Sequence, residues 1–256
     1  MSIPERCNPR IPFSRVTFLF RICYNPLWKK APPGPLVSYT MNLKLDENGD
    51  REIGIELFAE ANIPTKHGPI KLMVFHTNLD AMEHLAIVVG DTKCAEPVPV
   101  RLHSECFTSE VLGSLKCDCH DQLEASWDYI AKAGCGLIIY LRQEGRGIGL
   151  GNKVRAYKLQ EKGLDTIEAN LHLGFDDDLR NYDIAAAILK YLGIKRISLL
   201  TNNPSKIDNL VRDGIQIAGR IPLEIPPNEY NIDYLKTKRD KAGHLLEHLE
   251  EFTKNK

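Results

Sequence analysis

The sequence predicts an α/β fold: a mixed sheet with helices on both faces, preceded by an N-terminal antiparallel β segment. Three observations carry this expectation. Between residue 37 and about residue 100, short apolar stretches with partial alternation are separated by turn residues. From residue 100 onward, apolar strands alternate with segments whose apolar residues recur at helical spacing. Several of those helical segments run up to a glycine, at Gly163, Gly193 and Gly214.

Taken in order, residues 1–36 carry Pro4, Pro9, Pro12, Pro26 and the run Ala31-Pro-Pro-Gly-Pro35, a density that blocks helix and central strand. They read as a tail or linker, docked in part through Phe18, Phe20 and Trp28. Leu36–Leu45 alternates in part and leads into the turn Glu47-Asn-Gly-Asp50. Gly54–Phe58, Ile70–Phe75 and His84–Val89 continue an antiparallel meander. Val98–Leu102 is a strand, and Asp121–Ala133 a helix with its stripe at Leu123, Trp127, Ile130 and Ala131. Gly136–Leu141 is a buried strand and Leu150–Glu161 a helix. Tyr182–Leu192 is helical, Arg196–Leu200 a strand, Ser205–Arg212 a helix, Ile215–Ile221 a strand and Lys236–Phe252 a terminal helix.

A chain of 256 residues is ample for a hydrophobic core. Its 43% apolar and 26% charged residues place it among globular proteins. The net charge of −1 supplies no global field toward nucleic acid or a membrane, and no basic aromatic stripe is present. A phosphate-bearing ligand therefore needs local cations. No apolar run reaches 18 residues, which disfavours a membrane span. The stretch Val16–Tyr24 is broken by Arg21 and precedes no small-residue cleavage site, so it is a poor signal peptide. Seven cysteines, an odd number containing a tight C-x-C pair, suit a reduced cytoplasmic protein with a metal site better than a disulfide framework.

Cys106, Cys117 and Cys119 form C-x10-C-x-C. Three thiolates can hold Zn²⁺ and leave a fourth position for water, the arrangement that separates catalytic from structural zinc sites. Buried or loop thiols without a metal fit the same spacing, and His103 or His120 lies close enough to close the site. Cys94 and Cys135 read as packed thiols. Arg101-Leu-His-Ser-Glu-Cys106 ends a strand in polar residues, where α/β folds line their sites. A solvated strand end reads the same way.

Glu144-Gly-Arg-Gly-Ile-Gly-Leu-Gly151 joins a strand to a helix. Its glycines permit close backbone approach, and amides at a helix start with Arg146 suit phosphate. It is neither a Walker loop nor a dinucleotide fingerprint, and an ordinary glycine-rich connection fits as well. Asp176-Asp-Asp-Leu-Arg-Asn181 is either acidic capping of the next helix or a general base beside a phosphate-facing arginine. Leu199-Leu-Thr-Asn-Asn-Pro-Ser-Lys206 starts a helix and offers Thr201 and Lys206 to a ligand.

Together, the segments RLHSECFTSEVLGSLKCDCHDQLEA, YLRQEGRGIGLGNKVRAYKLQEKGLDTIEAN, LGFDDDLRNYDIAAAILKYLGI and LLTNNPSKI closely resemble GTP cyclohydrolase II, in the family's order and spacing. The resemblance runs from about residue 60 to about 246. It implies Cys106, Cys117 and Cys119 as zinc ligands. It implies GTP contacts at Arg101, Leu102, His103, Ser104, Glu105, Gln122, Glu144, Gly145, Arg146, Thr166, Thr201 and Lys206. Asp178 matches the general base, Arg180 the residue proposed as nucleophile on the α-phosphate, and Tyr157 a catalytic tyrosine. The implied reaction, with one Zn²⁺ per subunit and Mg²⁺ on the triphosphate, converts GTP to 2,5-diamino-6-hydroxy-4-(5-phosphoribosylamino)pyrimidine, formate and pyrophosphate, opening riboflavin biosynthesis. A homodimer is also implied, with neither nucleic acid nor membrane as partner.

Some features depart from the family's plain form. Residues 1–58 are additional, irregular and then β-rich, ahead of a catalytic domain at 59–256. They are too few for the dihydroxybutanone-phosphate synthase domain of fused relatives, so a single activity is expected. His120-Asp121 follows the last motif cysteine in place of the usual residues, and Asp176-Asp177 makes an acidic approach to Asp178. Two other readings remain open: a paralogue with another nucleotide or a product short of formate release, and a zinc-stabilised nucleotide-binding module without turnover.

Overall fold

Alternation within one central strand builds the core on both sides of a sheet. In the computed structural model, Leu137, Ile139 and Leu141 of the strand Gly136–Leu141 face one apolar cluster, and Ile138 between them faces another. The structure describes residues 53–94, 96–176, 178–247 and 249. All fall in one compact unit spanning 41–256. The expected tail at 1–36, the strand 36–45, the turn 47–50, Cys7, Cys23, Asp177 and the last residues of the terminal helix lie outside the described residues.

Seven strands form one sheet: β1 (Ile55–Thr65), β2 (Gly68–Thr77), β3 (His84–Val89), β4 (Val98–Ser104), β5 (Gly136–Leu141), β6 (Arg196–Leu200) and β7 (Gln216–Ile221). Their spatial order is β1-β2-β3-β5-β4-β6-β7. β1, β2, β3 and β5 pair antiparallel, whereas β5, β4, β6 and β7 run parallel. The sheet is thus mixed, and the antiparallel segment is its continuous edge. A two-residue turn, Lys66-His67, joins β1 to β2, and the Thr65 hydroxyl closes it by donating to Gly68 O at 2.7 Å.

Helices α1 (Phe107–Glu110), α2 (Cys119–Ala133), α3 (Gly149–Gln160), α4 (Thr166–His172), α5 (Asp183–Tyr191), α6 (Pro204–Arg212) and α7 (Ile232–Asp240) complete the fold. Ile184, Ala185, Ile188 and Leu189 of α5 and Leu210 of α6 cover the larger cluster, and Ile130 of α2 covers the other face. The helices therefore lie on both faces, as expected. The close α2–β5 connection demands glycine at 136: a Cβ there would stand 2.8 Å from both Pro99 O and Ile130 Cγ2.

The terminal helix departs from expectation. A helix spans Ile232–Asp240, starting before the expected Lys236; residues 241–247 interrupt it as turn and coil, and Leu249 is helical again. Gly243 takes φ +64°, and His244 N turns back to Lys238 O at 3.0 Å. The helix α4 was not anticipated, although its capping box is written in the sequence. Asp165 accepts from the amides of Ile167 and Glu168, and the Glu168 side chain reaches back to Asp165 N. No helix among the described residues is long and apolar enough to cross a membrane.

Candidate metal and nucleotide site

The C-terminal ends of β4 and β5 open into a cavity of about 500 Å³, the place where parallel strands in α/β folds present their loops to a ligand. Cys106 follows β4 at the start of α1, and Cys117 and Cys119 bracket the start of α2. Their Sγ atoms lie within 4.8 Å of one another, with Cys106 and Cys117 at 3.7 Å. Hydrogen bonds from Cys117 and Cys119, aided by the nearby Lys153 ammonium, hold the Cys106 thiol far below the usual range. The bond to Cys106 in turn raises Cys117 and Cys119, as expected when three thiols share one thiolate. Three convergent soft donors fit zinc. Among the described residues, neither candidate histidine joins this ligand group. His103 Nε2 is engaged by Glu110 at 2.8 Å, and His120 is exposed.

Glu110 organises the ground beneath the thiols. It takes His103 at 2.8 Å, accepts from Cys106 N at 2.8 Å and accepts from the Tyr140 hydroxyl at 2.7 Å. Beside it, Glu144 accepts from Phe107 N and from Lys153 Nζ, each at 2.6 Å. Lys153 Nζ also donates to Cys106 Sγ at 3.1 Å. The Tyr157 hydroxyl lies 3.3 Å from Thr108 Oγ1, which in turn lies 3.8 Å from Cys106 Sγ. Burial pushes the Tyr157 phenol up, so it is protonated at neutral pH.

The glycine-rich loop is held against the segment carrying Arg180. Leu179 N donates to Arg146 O at 3.0 Å, and Gly147, at φ +90°, would place a Cβ 3.0 Å from Leu179 Cβ. Arg146 itself adopts φ +61°, a left-handed conformation that costs a non-glycine residue energy and concentrates at functional sites. Asp178 takes the Arg180 guanidinium in a two-point ion pair, with Nε at 2.8 Å from Oδ1.

Cations converge on the same space. Arg101, Arg146, Arg180, Lys206 and Lys238 all line the cavity. Burial brings the Arg101 guanidinium down to about 10. Burial, then Arg101 and Arg180, brings Lys206 well below its usual range. Arg101 Nε, His103 Nδ1, Ser104 Oγ and Gln143 Oε1 are buried without a hydrogen-bond partner. A buried concentration of positive charge with unsatisfied polar atoms suits a polyanionic, hydrogen-bonding ligand.

A model of the family described as GTP cyclohydrolase II matches residues 56–222. The chain belongs to the GTP cyclohydrolase II family. It is 50% identical over 194 residues to GTP cyclohydrolase-2 of Histophilus somni, covering 76% of this chain and 90% of that one. It is 50% identical over 192 residues to GTP cyclohydrolase-2 of Picrophilus torridus, covering 75% of this chain and 100% of that one. At the same identity, Riboflavin biosynthesis protein RibBA of Chlorobium phaeovibrioides matches 75% of this chain, which spans only 47% of that relative.

For this GTP cyclohydrolase II family member, the cavity gathers most of the residues singled out in the sequence. Arg101, His103, Ser104, Glu105, Gln122, Glu144, Gly145, Arg146, Thr166, Lys206, Tyr157 and Arg180 line it beside the three cysteines. Asp178 reaches it through Arg180. The Leu102 side chain is fully buried in the core, and its carbonyl accepts from Lys206 Nζ at 2.7 Å. Thr201 is buried, with its hydroxyl accepting from Asn203 N at 3.0 Å. Sequence reading missed Lys153, Glu110, Tyr234, Lys238 and His244. Helical spacing offered a signal for two of them: Lys153 lies one turn before Tyr157, and Lys238 one turn after Tyr234. Nothing in the sequence flagged Glu110 or His244.

Proposed function

We propose that this protein hydrolyses GTP to 2,5-diamino-6-hydroxy-4-(5-phosphoribosylamino)pyrimidine, formate and pyrophosphate, the first step of riboflavin biosynthesis. The observation that carries the reading is the convergence of three cysteine sulfurs within 4.8 Å on a cavity lined by buried cations. Cys106, Cys117 and Cys119 would hold Zn²⁺, which as a Lewis acid supplies activated water for hydrolysis at carbon 8 and of the resulting formamide. Lys153 offsets thiolate charge by its bond to Cys106. Tyr157, neutral and within reach of Thr108, orients water or passes a proton at its hydroxyl.

The cationic wall formed by Arg101, Arg146, Arg180 and Lys206 receives the triphosphate, with Mg²⁺ accompanying it. Arg180 stabilises charge at the α-phosphate rather than attacking it. A guanidinium stays protonated, and the Asp178 carboxylate beside it raises its affinity for the proton further. Asp178, in turn, is held below the usual carboxylate range by its bond to Arg180, which outweighs the partial loss of water around it. It thus remains ionised, and it can act as a base only once its hold on Arg180 loosens, as when the guanidinium turns to a phosphate. Residues 59–256 form the catalytic domain, 1–58 an extension, and the protein works in the cytoplasm as a homodimer. Val111 and Leu112, each 66% exposed, and Leu115 offer apolar surface consistent with self-association.

Zinc-loaded protein incubated with GTP and Mg²⁺ tests the reading. Formate and pyrophosphate should appear in equal amounts with the diaminopyrimidine. Pyrophosphate without formate would instead identify an enzyme that stops at the formamide, and no turnover a binding module. Light scattering checks the dimer.

A further inference from the structure

Helix α7 lies beyond residue 222, where the family match ends, yet it reaches the metal turn. Lys238 Nζ donates to Asp118 Oδ1 at 2.8 Å, with both side chains buried. Asp118 stands between two of the cysteines and occupies the N-cap of α2. A carboxylate there ordinarily accepts from amides of the first turn, but Asp118 makes no such bond. Its other oxygen accepts from Gln122 Nε2 at 2.5 Å, and Gln122 Oε1 accepts from Arg101 at 2.7 Å. One chain of hydrogen bonds thus runs from α7 through the Cys117-Asp118-Cys119 turn and the half-buried Gln122 to the cavity. The segment after α7 is anchored as well: Lys241 pairs with Asp165 and Glu168, and Leu245 N donates to Asn202 O at 2.9 Å.

We propose that Lys238 is a positioning residue for the metal site: through its buried bond to Asp118 it fixes the turn that aims Cys117 and Cys119 at Cys106. The proposal rests on the metal reading above. Removing the ammonium leaves a buried carboxylate without its cation, and such a group draws water in or moves toward it. The turn then loosens, and the thiolates lose their common focus. Loss of comparable outer-shell partners weakens metal binding about 10–100-fold.

The test is the zinc dissociation constant of the full chain, measured by competition with a chromogenic chelator. Lys238→Met should weaken zinc about 10–100-fold, and Lys238→Arg should restore most of the loss. Asp118→Asn should weaken zinc similarly, and the double variant no further, because one bond is lost in each case. Leu210→Ala, a cavity in the core under α6, should lower the melting temperature without changing zinc affinity. Lys238→Gln, which keeps a donor but not the charge, reads the same ratio should the methionine variant fail to fold. Unchanged zinc affinity in the Lys238 variants, or losses that merely follow melting temperature as in Leu210→Ala, would overturn the proposal. A wild-type protein that binds no zinc overturns the metal reading along with it, whereas tight zinc in wild type and Lys238→Met alike overturns this proposal alone.

Discussion

His244 places a pH-sensitive group among cations, and replacing it should make the protein less sensitive to mild acid. Burial, then the charges of Lys238, Arg180, Lys206 and Arg146, pulls its pKa from 6.5 to about 3. A depressed histidine pKa means that the unfolded chain takes up a proton near pH 6.5 while the folded chain refuses it until pH falls near 3. Stability from this group is therefore complete above pH 6.5 and declines as pH drops below it. At pH 5 the difference has run over about 1.5 pH units, or about 2 kcal/mol before screening at a partly exposed ring. A value of about 1–2 kcal/mol corresponds to roughly 2–8 °C in a domain of this size. Thermal unfolding of wild type and His244→Gln, followed by circular dichroism at pH 7.5 and pH 5, measures it. Wild type should lose roughly 2–8 °C more than the variant across that interval. The buried His103 is common to both proteins and cancels. Glu110, Asp118 and Asp178 are all held below the ordinary carboxylate range, so their contributions are lost only at lower pH. Two melting curves that fall in parallel would refute the assignment of His244 to the cationic cluster.

Three further outcomes are expected. Glu110→Ala removes a carboxylate shared by His103, Cys106 N and Tyr140; it strands these groups at about 1–3 kcal/mol each and should lower the melting temperature by roughly 6 °C or more. Tyr157→Phe keeps the ring beside Lys116 and Lys153 but removes the hydroxyl; kcat should fall about 10²–10⁴-fold with little change in KM, and an unaltered kcat would remove Tyr157 from the chemistry. Stripping the metal with a chelator should abolish turnover while far-ultraviolet dichroism persists, because the cysteines sit at the cavity and the two apolar clusters form without them; re-addition of zinc should restore the rate.

The strands and helices were legible where a single period dominates. The continuous apolar run Leu137–Leu141 and the stripe of α2 announce a sheet covered by helices, because burial on both faces leaves no polar positions in a central strand. The expected terminal helix missed its start at Ile232 and the break at 241–247, since that break depends on a left-handed glycine and on where residues 244 and 245 find backbone partners.

By itself, the sequence determined the layered α/β class, the three candidate sulfur ligands and the glycine-rich loop, for each depends on residue type at short spacing, whereas it left Asp178 and Arg180 open between helix capping and a site. Only the tertiary structure decided that the three sulfurs meet within 4.8 Å, that His103 Nε2 meets Glu110, and that Lys238 reaches Asp118 across 120 residues of chain. Contacts between distant segments follow from how the sheet and its helices close on one another, and no local pattern of apolar and polar residues encodes which buried charge will find which partner.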